Sequence, residues 1–277
     1  MSFRVSLALL KAEMGKVWDR PILEITVALM AVLSLASIQP VTTEIYCHSA
    51  FSIAFQSVVT MSVSTTVASL MLPWVIMCGV LMALSFARDY ESGLMQSLLS
   101  VPVSRKLFFV IKFFAVVLPL VLLSWGFTTF FVGLSFYSSP WLALQFSFFV
   151  LPISFLSLMF CGGLGVLVAL AVKRTIPAVL TSLLANYFIW YPTTIVTKRA
   201  LIDGVSYAGY LCLTPHKGAL VFLDRLLDIV PMVPSEIADA LEYTLSAGSF
   251  AVLLVFYACI LVVPMFVYFC RRFEVCE

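Results

Sequence analysis

Long apolar runs, broken by short polar segments, dominate the pattern of this 277-residue chain. Residues 45–87 and residues 113–172 contain no Asp, Glu, Lys or Arg. A transmembrane helix needs about 20 predominantly apolar residues. The run 113–172 is too long for one crossing, and Tyr-Ser-Ser-Pro at 137–140 divides it with residues that favour turns. The pattern predicts an all-α membrane protein with six spans, near Ile22–Ile38, Val67–Phe86, Leu107–Phe136, Trp141–Val172, Ile176–Val196 and Ala247–Cys270.

The composition agrees with a chain that has lipid as its solvent. Hydrophobic residues make up 62% of the sequence and charged residues 11%, whereas an ordinary soluble domain carries about 25% charged residues. A soluble core cannot bury this much apolar surface. The net charge of +2 is too small to indicate a nucleic-acid partner. We therefore expect one transmembrane domain that covers residues 1–277.

The distribution of basic residues predicts the orientation of these spans. An even number of spans places both termini on one side, and this side receives twelve of the sixteen Lys and Arg residues. Positively charged loops face the cytosol. The sequence therefore predicts a multi-pass protein of the cytoplasmic (inner) membrane with both termini cytosolic. The four basic residues on the outer side are Lys198, Arg199, Lys217 and Arg225.

Two segments outside the spans have amphipathic patterns. Residues 1–20 predict an elbow helix that lies on the inner membrane surface. Residues 197–246 form the largest predicted loop, which lies outside. It either contains short amphipathic helices that cap the outer mouth or serves as a solvated lid. The apolar stripe of the elbow consists of Phe3, Leu7, Leu10, Met14 and Val17.

The sequence lacks the motifs of common catalytic and metal sites. It has no phosphate-binding P-loop, no His-Glu-x-x-His and no Gly-x-Ser-x-Gly. Its two histidines, His48 and His216, both fall in predicted outer loops. We therefore expect no catalytic residue, no cofactor and no metal on this chain, and no enzyme activity. Cys47 and Cys212 would share the outer side, where they could form a disulfide or serve as small apolar residues.

Polar and small residues inside the spans allow two interpretations each. Asn186, Tyr187 and Tyr191 could line a transport pathway, or could form interhelical hydrogen bonds and an interfacial aromatic belt. Glycines 162, 163 and 165 could form a hinge, but close helix packing is the favoured interpretation.

Residues 86–106 form a charged island between two uncharged runs. A charge at the bilayer centre costs about 2.5–3.5 kcal/mol or more, so the island should lie in water. Ser92 can cap a short helix, with Asp89 and Glu91 near its positive end, and Pro102 ends it. Such a helix needs a partner protein or else lies flat on the lipid. Its apolar face would consist of Leu94, Leu98 and Leu99.

The island resembles the signature of type-two ABC transporter permeases. The similar segments are Phe86-Ala-Arg-Asp-Tyr-Glu-Ser-Gly-Leu94, then Leu98-Leu99-Ser-Val-Pro102-Val-Ser-Arg105, and Lys112 at the next span. The beginning, Lys11-Ala-Glu13 followed by Asp19-Arg20-Pro21, is similar to the family's elbow. With six predicted spans and outer helices before the last, the resemblance covers the whole chain. One departure is Leu94, where the family most often has Thr.

The resemblance implies a permease subunit of an ATP-driven transporter, of the exporter kind. It implies a two-fold dimer with a second copy or a homologue, in contact with membrane lipid. It also implies a separate ATPase subunit, which binds ATP and Mg and receives the island as a coupling helix. The residues implied to couple the chain to this ATPase are Arg88, Asp89, Glu91, Gly93, Leu94, Leu98, Leu99, Pro102, Arg105 and Lys106.

The alternative function is a secondary carrier or channel that does not use ATP. Such a protein would need an ion-coupling carboxylate within a span, and the nearest candidate, Glu24, sits at a span end. A membrane-embedded enzyme acting on lipid is a third class, but the acidic residues are too scattered to favour it. Spans rich in Phe suit a hydrophobic or amphipathic cargo and suit ordinary helix packing equally, so the substrate stays open.

Overall fold

The computed structural model describes residues 3–19, 21–37, 52–95, 104–135, 140–202 and 247–271, and every major element in them is an α-helix. Each predicted apolar segment lies in one of these helices. The helices are α1 (Phe3–Val17), α2 (Ile22–Ser37), α3 (Ser52–Glu91), α4 (Arg105–Ser135), α5 (Pro140–Val172), α6 (Thr175–Ile202) and α7 (Ala247–Arg271).

The helix boundaries agree with the predicted ones within two residues for α2, α4, α5 and α7. The other two helices are longer than predicted. Helix α3 has 40 residues and would measure about 60 Å, twice the thickness of the hydrocarbon layer. Helix α6 continues to Ile202, so the first residues assigned to the outer loop are helical. Residues 203–246 lie outside the described part, as do Cys47, Cys212 and both histidines.

Three helices in the described part are long and apolar enough to cross a membrane, by length and composition. Their qualifying segments are Leu72–Glu91, Arg105–Phe130 and Ser154–Val172. Shorter apolar segments lie in α2, α6 and α7. The architecture is therefore that of a helical membrane protein, while the six-span topology stays a prediction.

Helix α5 is the centre of the bundle, because it packs against α3, α4, α6 and α7. Helix α3 also packs against α4 and α6, and α2 lies against α3. Helix α1 packs mainly on α4, where the Trp18 indole N–H donates to the carbonyl oxygen of Ala115 at 3.0 Å. Leu7 and Met14, from the apolar stripe of α1, face away from the bundle.

Glycines of α5 let neighbouring helices approach closely, which confirms the packing interpretation. A Cβ on Gly165 would collide with the backbone carbonyl of Gly79 on α3. A Cβ on Gly163 would lie 2.9 Å from the Cβ of Leu261 and 3.0 Å from Cγ2 of Val262, both on α7. The side of α5 that carries these glycines therefore sets its distance to α3 and α7.

A glycine-to-alanine pair tests this contact. G165A forces α3 and α5 apart, because the new methyl group meets backbone rather than a movable side chain; overpacking of this kind costs about 1–3 kcal/mol. G126A is the matched control, since Gly126 is exposed on α4 with nothing within 4 Å of an added Cβ. We expect unfolding in detergent to show lower stability for G165A alone. Equal stability of the two variants would contradict the close approach.

Candidate functional site

A buried ionic cluster joins three helices at the end of the bundle where α3 ends and α4 begins. At its centre is Lys112 of α4, whose side chain has no solvent exposure. The Lys112 ammonium group contacts Asp89 of α3 and lies 3.2 Å from Oε2 of Glu13 on α1. It also lies 5.3 Å from the ring centroid of Phe86 and 5.7 Å from that of Phe108.

Asp89 holds two cations, one on each carboxylate oxygen. Its Oδ2 accepts a hydrogen bond from Lys112 and its Oδ1 accepts one from Lys16 of α1. The Lys16 side chain is 28% exposed, so the cluster reaches the surface of the protein at this point. Two carboxylates face two ammonium groups, and the cluster is formally neutral. We name these four residues, Glu13, Lys16, Asp89 and Lys112, the ionic cluster.

The ionic cluster fixes the positions of α1, α3 and α4 relative to one another more than it stabilises the fold. Removing charges from water costs several kcal/mol per ion, and mutual attraction offsets this only with good geometry. Once the charges are buried, the loss of one partner leaves the others uncompensated. Asp89 therefore holds the end of α3 against α1 and α4 in one arrangement.

A second set of contacts ties the end of α3 to the start of α6. Oε2 of Glu91 accepts a hydrogen bond from the backbone N–H of Thr175 at 2.9 Å. Thr175 is the first residue of α6, where unpaired N–H groups and the helix dipole favour a negative charge. Beside it, the Lys173 ammonium group lies 5.1 Å from the ring centroid of Tyr90. Glu91 and Tyr90 thus attach the α3 end to the turn between α5 and α6.

These contacts add a tertiary role to the polar residues of the island. Asp89 and Glu91 lie in the last turn of α3, and helical residues begin again at Leu94, close after them. The Ser92 hydroxyl donates to the Asp89 carbonyl at 3.5 Å, and its role as a cap of the following helix stays a prediction. Helix α3 continues beyond its apolar run because Asp89 forms ion pairs with Lys16 and Lys112. The negatively charged side chain of Glu91 lies at the N-terminus of a helix, and this helix is α6.

Gly93 ends this junction with a backbone that favours glycine. Its φ is 71°, and its N–H donates to the carbonyl of Tyr90 at 3.1 Å, as in the left-handed residue that follows many helices. Leu94 follows and is 43% exposed. We name residues 88–93, from Arg88 to Gly93, the junction segment.

The structure brings together only part of the predicted coupling set. Four of its members, Arg88, Asp89, Glu91 and Gly93, lie in the junction segment, where Arg88 is exposed. Arg105 and Lys106 are exposed at the start of α4. The remaining coupling residues, Leu98, Leu99 and Pro102, lie outside the described residues.

Of the three predicted pathway residues, Asn186 and Tyr187 lie on different sides of α6. Asn186 of α6 is buried, and its amide Nδ2 donates to the carbonyl oxygen of Ser182 at 2.9 Å. Its amide is also the group that an added Cβ on Gly79 of α3 would strike. Tyr187 points away from the bundle and is 38% exposed. The side chain of Tyr191 lies outside the described residues.

Sequence reasoning did not assign Glu13, Lys16 and Lys112 to a site. One signal was present in the pattern. Lys112 is a cation several residues inside an otherwise apolar segment, and such a charge is almost never fully buried without a partner. Asp89 lies in the charged island that directly precedes the apolar segment with Lys112. Nothing in the sequence pointed to α1 as the source of the other two members.

The contacts of this site hold the ends of helices in fixed positions. Within the ranges that the structure describes, no group of three or more His, Cys, Asp or Glu side chains could hold a metal ion. The charges of the ionic cluster are engaged with one another. What the site provides is a rigid connection between the junction segment and the bundle.

Fold and site together define a class: a helical membrane protein whose α3–α4 connection is anchored by buried charge. Comparison with known proteins does not narrow this class, since neither a protein-family model nor a curated protein matches the chain.

Proposed function

We propose that this chain is the permease subunit of an ATP-driven transporter of the type-two ABC class, most simply an exporter, with its ATPase on a separate subunit. In this proposal six spans cross the inner membrane with both termini in the cytosol. Leu7 and Met14, the exposed members of the apolar stripe of α1, support an elbow helix at the inner surface. A dimer of two such chains, or of this chain and a homologue, would form the pathway.

One observation carries the proposal: the junction segment is bound to three different helices. Asp89 contacts α1 and α4, and Glu91 contacts the first residue of α6. Leu94 directly follows the segment and is exposed, so a partner has an apolar group to bind. A push on this segment would move α1, α3, α4 and α6 as one body, which suits a rigid-body switch between two states.

The carrier or channel alternative has less support in the described residues. Asp89 and Glu13, the buried carboxylates, are paired with lysines, and Glu24 is exposed in the first turn of α2. An ion-coupling carboxylate would have to release its partner in each cycle. The proposed role of the junction segment, in contrast, uses these pairs as they stand.

The proposal predicts that an ATPase with a P-loop co-purifies with this chain from native membranes. L94S should reduce the retained ATPase by about tenfold or more, as expected for a central apolar contact of an interface. L23S is the matched control, because Leu23 is also an exposed leucine, at the start of α2. Mass spectrometry of the purified complex measures how much ATPase the unaltered chain, L94S and L23S each retain. A pure chain that moves cargo with no nucleotidase attached would refute the proposal.

A further inference from the structure

An apolar groove of about 210 Å³ lies between α4, α5 and α7 and has no role in the proposed coupling. All eight lining side chains are apolar, and four of them are phenylalanines. Phe109 and Phe113 are buried, and the rings of Phe109 and Phe266 meet edge to face at 5.5 Å. Val110 and Val263 line the groove and are 39% and 52% exposed, so the groove opens on the outside of the bundle.

The chemistry of the groove favours a hydrocarbon occupant. A wall without polar atoms offers water no hydrogen-bond partner, so an apolar molecule is the favoured occupant. The groove opens between helices that are apolar enough to face lipid, and the nearest apolar molecule there is a lipid chain. A single acyl chain matches a narrow groove whose wall is aromatic and aliphatic.

Basic residues stand at one end of the groove. Phe108 and Phe269 stack at 6.3 Å, which places the start of α4 beside the end of α7. Lys106 precedes Phe108 by two residues and Arg271 follows Phe269 by two, so in antiparallel helices both cations extend toward the same end. With a rise of about 1.5 Å per residue, Phe109 lies about 5 Å below Lys106, and Val263 about 12 Å below Arg271.

The charges around the groove favour an anionic headgroup. The described parts of α4, α5 and α7 contain no Asp or Glu. Two other cations on these helices lie near this end: Lys112 is engaged in the ionic cluster, and Arg105 is the exposed first residue of α4. Lys106 and Arg271 are both exposed. A phosphate near them would bind about fivefold more tightly for each basic side chain at the membrane surface.

We infer that this groove binds one anionic phospholipid, with an acyl chain between Phe109, Phe113 and Val263 and its phosphate near Lys106 and Arg271. The inference rests on the membrane-spanning orientation in the proposed function, which places this end at the lipid headgroups. It does not depend on the ATPase. A failure to bind lipid and a failure to bind an ATPase would therefore be distinguishable results.

Native mass spectrometry of the purified full chain in detergent tests the inference. The probes are phosphatidylglycerol and phosphatidylcholine with the same two oleoyl chains. From Lys106 and Arg271 alone, we expect phosphatidylglycerol to bind about thirtyfold more tightly, and Arg105 beside them can only add to this preference. K106Q should reduce the preference about fivefold, and K106Q with R271Q should reduce it about thirtyfold. K11Q, which removes an exposed charge from α1, should leave it unchanged.

A second variant tests the acyl-chain part separately. V263W fills the mouth of the groove and should weaken the binding of both lipids by about fivefold or more. The ratio of the two affinities should stay unchanged. V255W is the matched control, because Val255 is 51% exposed on the same helix and does not line the groove.

Three results of the lipid measurements would overturn the inference. They are equal binding of the two lipids by the unaltered chain, an unchanged preference in the doubly neutralised variant, and equal lipid binding by V263W and V255W. Retention of a second copy of the chain in place of lipid, lost in V263W, would instead make the groove a subunit interface and would also overturn it.

Discussion

Replacing Lys112 by Met lowers the free energy of unfolding by about 3–5 kcal/mol, the range found when one partner of a buried ion pair is removed. Lys112 is fully buried between Asp89 and Glu13. Without Lys112, Lys16 is the one cation of the ionic cluster that is left for the carboxylates of Asp89 and Glu13. Lys16 binds Asp89 from the partly exposed side. Met keeps much of the side-chain volume, so the loss measures charge more than packing.

Unfolding in detergent, followed by circular dichroism, measures this effect. K106M is the matched control, because Lys106 is an exposed lysine on the same helix; exposed substitutions of this kind change stability by about 0.5 kcal/mol or less. The double variant D89N/K112M should be less destabilised than the sum of its parts by about 0.5–3 kcal/mol, since the residues are in contact. Strict additivity, or equal effects of K112M and K106M, would rule out the paired burial.

The second large effect concerns the connection between α3 and α6. E91A removes the acceptor that Thr175 uses, and the junction segment then loses its contact with the start of α6. Glu91 is exposed, so this hydrogen bond acts through the position that it gives the junction segment and not through a large energy. We therefore expect ATP hydrolysis to persist in the reconstituted complex while its effect on the bundle falls severalfold.

A fluorescent probe on a cysteine at position 184 reports this effect without knowledge of the cargo. Leu184 is 51% exposed on α6, so the probe avoids the core. E91Q keeps an acceptor oxygen and loses only the charge, so its loss should be smaller than that of E91A. K11A, on exposed α1 surface, should respond as the unaltered chain.

Gly93 offers an independent test of the same junction. G93A strains the left-handed backbone at φ 71°, at a cost of about 1 kcal/mol. G15A is its control, because an added Cβ on Gly15 meets nothing within 4 Å. A full probe response in both E91A and G93A, with the ATPase still bound, would remove the junction segment from the coupling role.

The helices themselves followed from the pattern of apolar residues. The boundaries of α2, α4, α5 and α7 were predictable within two residues because charged or turn-forming residues flank each apolar run. The end of α3 was not, since a helix can carry Asp89 beyond its apolar run when buried lysines pair with it. A charge therefore ends an apolar run without ending the helix that contains it.

The candidate site was predictable only in part. Asp89, Glu91 and Gly93 were identified as an island of polar residues, from its sequence and its resemblance to a family. Their partners were not, because Glu13 and Lys112 are separated by 99 positions and meet only through the packing of α1 on α4.

The sequence alone therefore determined that this is an apolar helical chain, where its helices run, and which short polar segment stands between two of them. These features depend on local composition and spacing, which act along the chain. The tertiary structure decided which charges are buried together, that Glu91 meets the start of α6, and that α4 and α7 enclose an apolar groove. Such features depend on distances between residues far apart in sequence, and only the packing of the helices sets those distances.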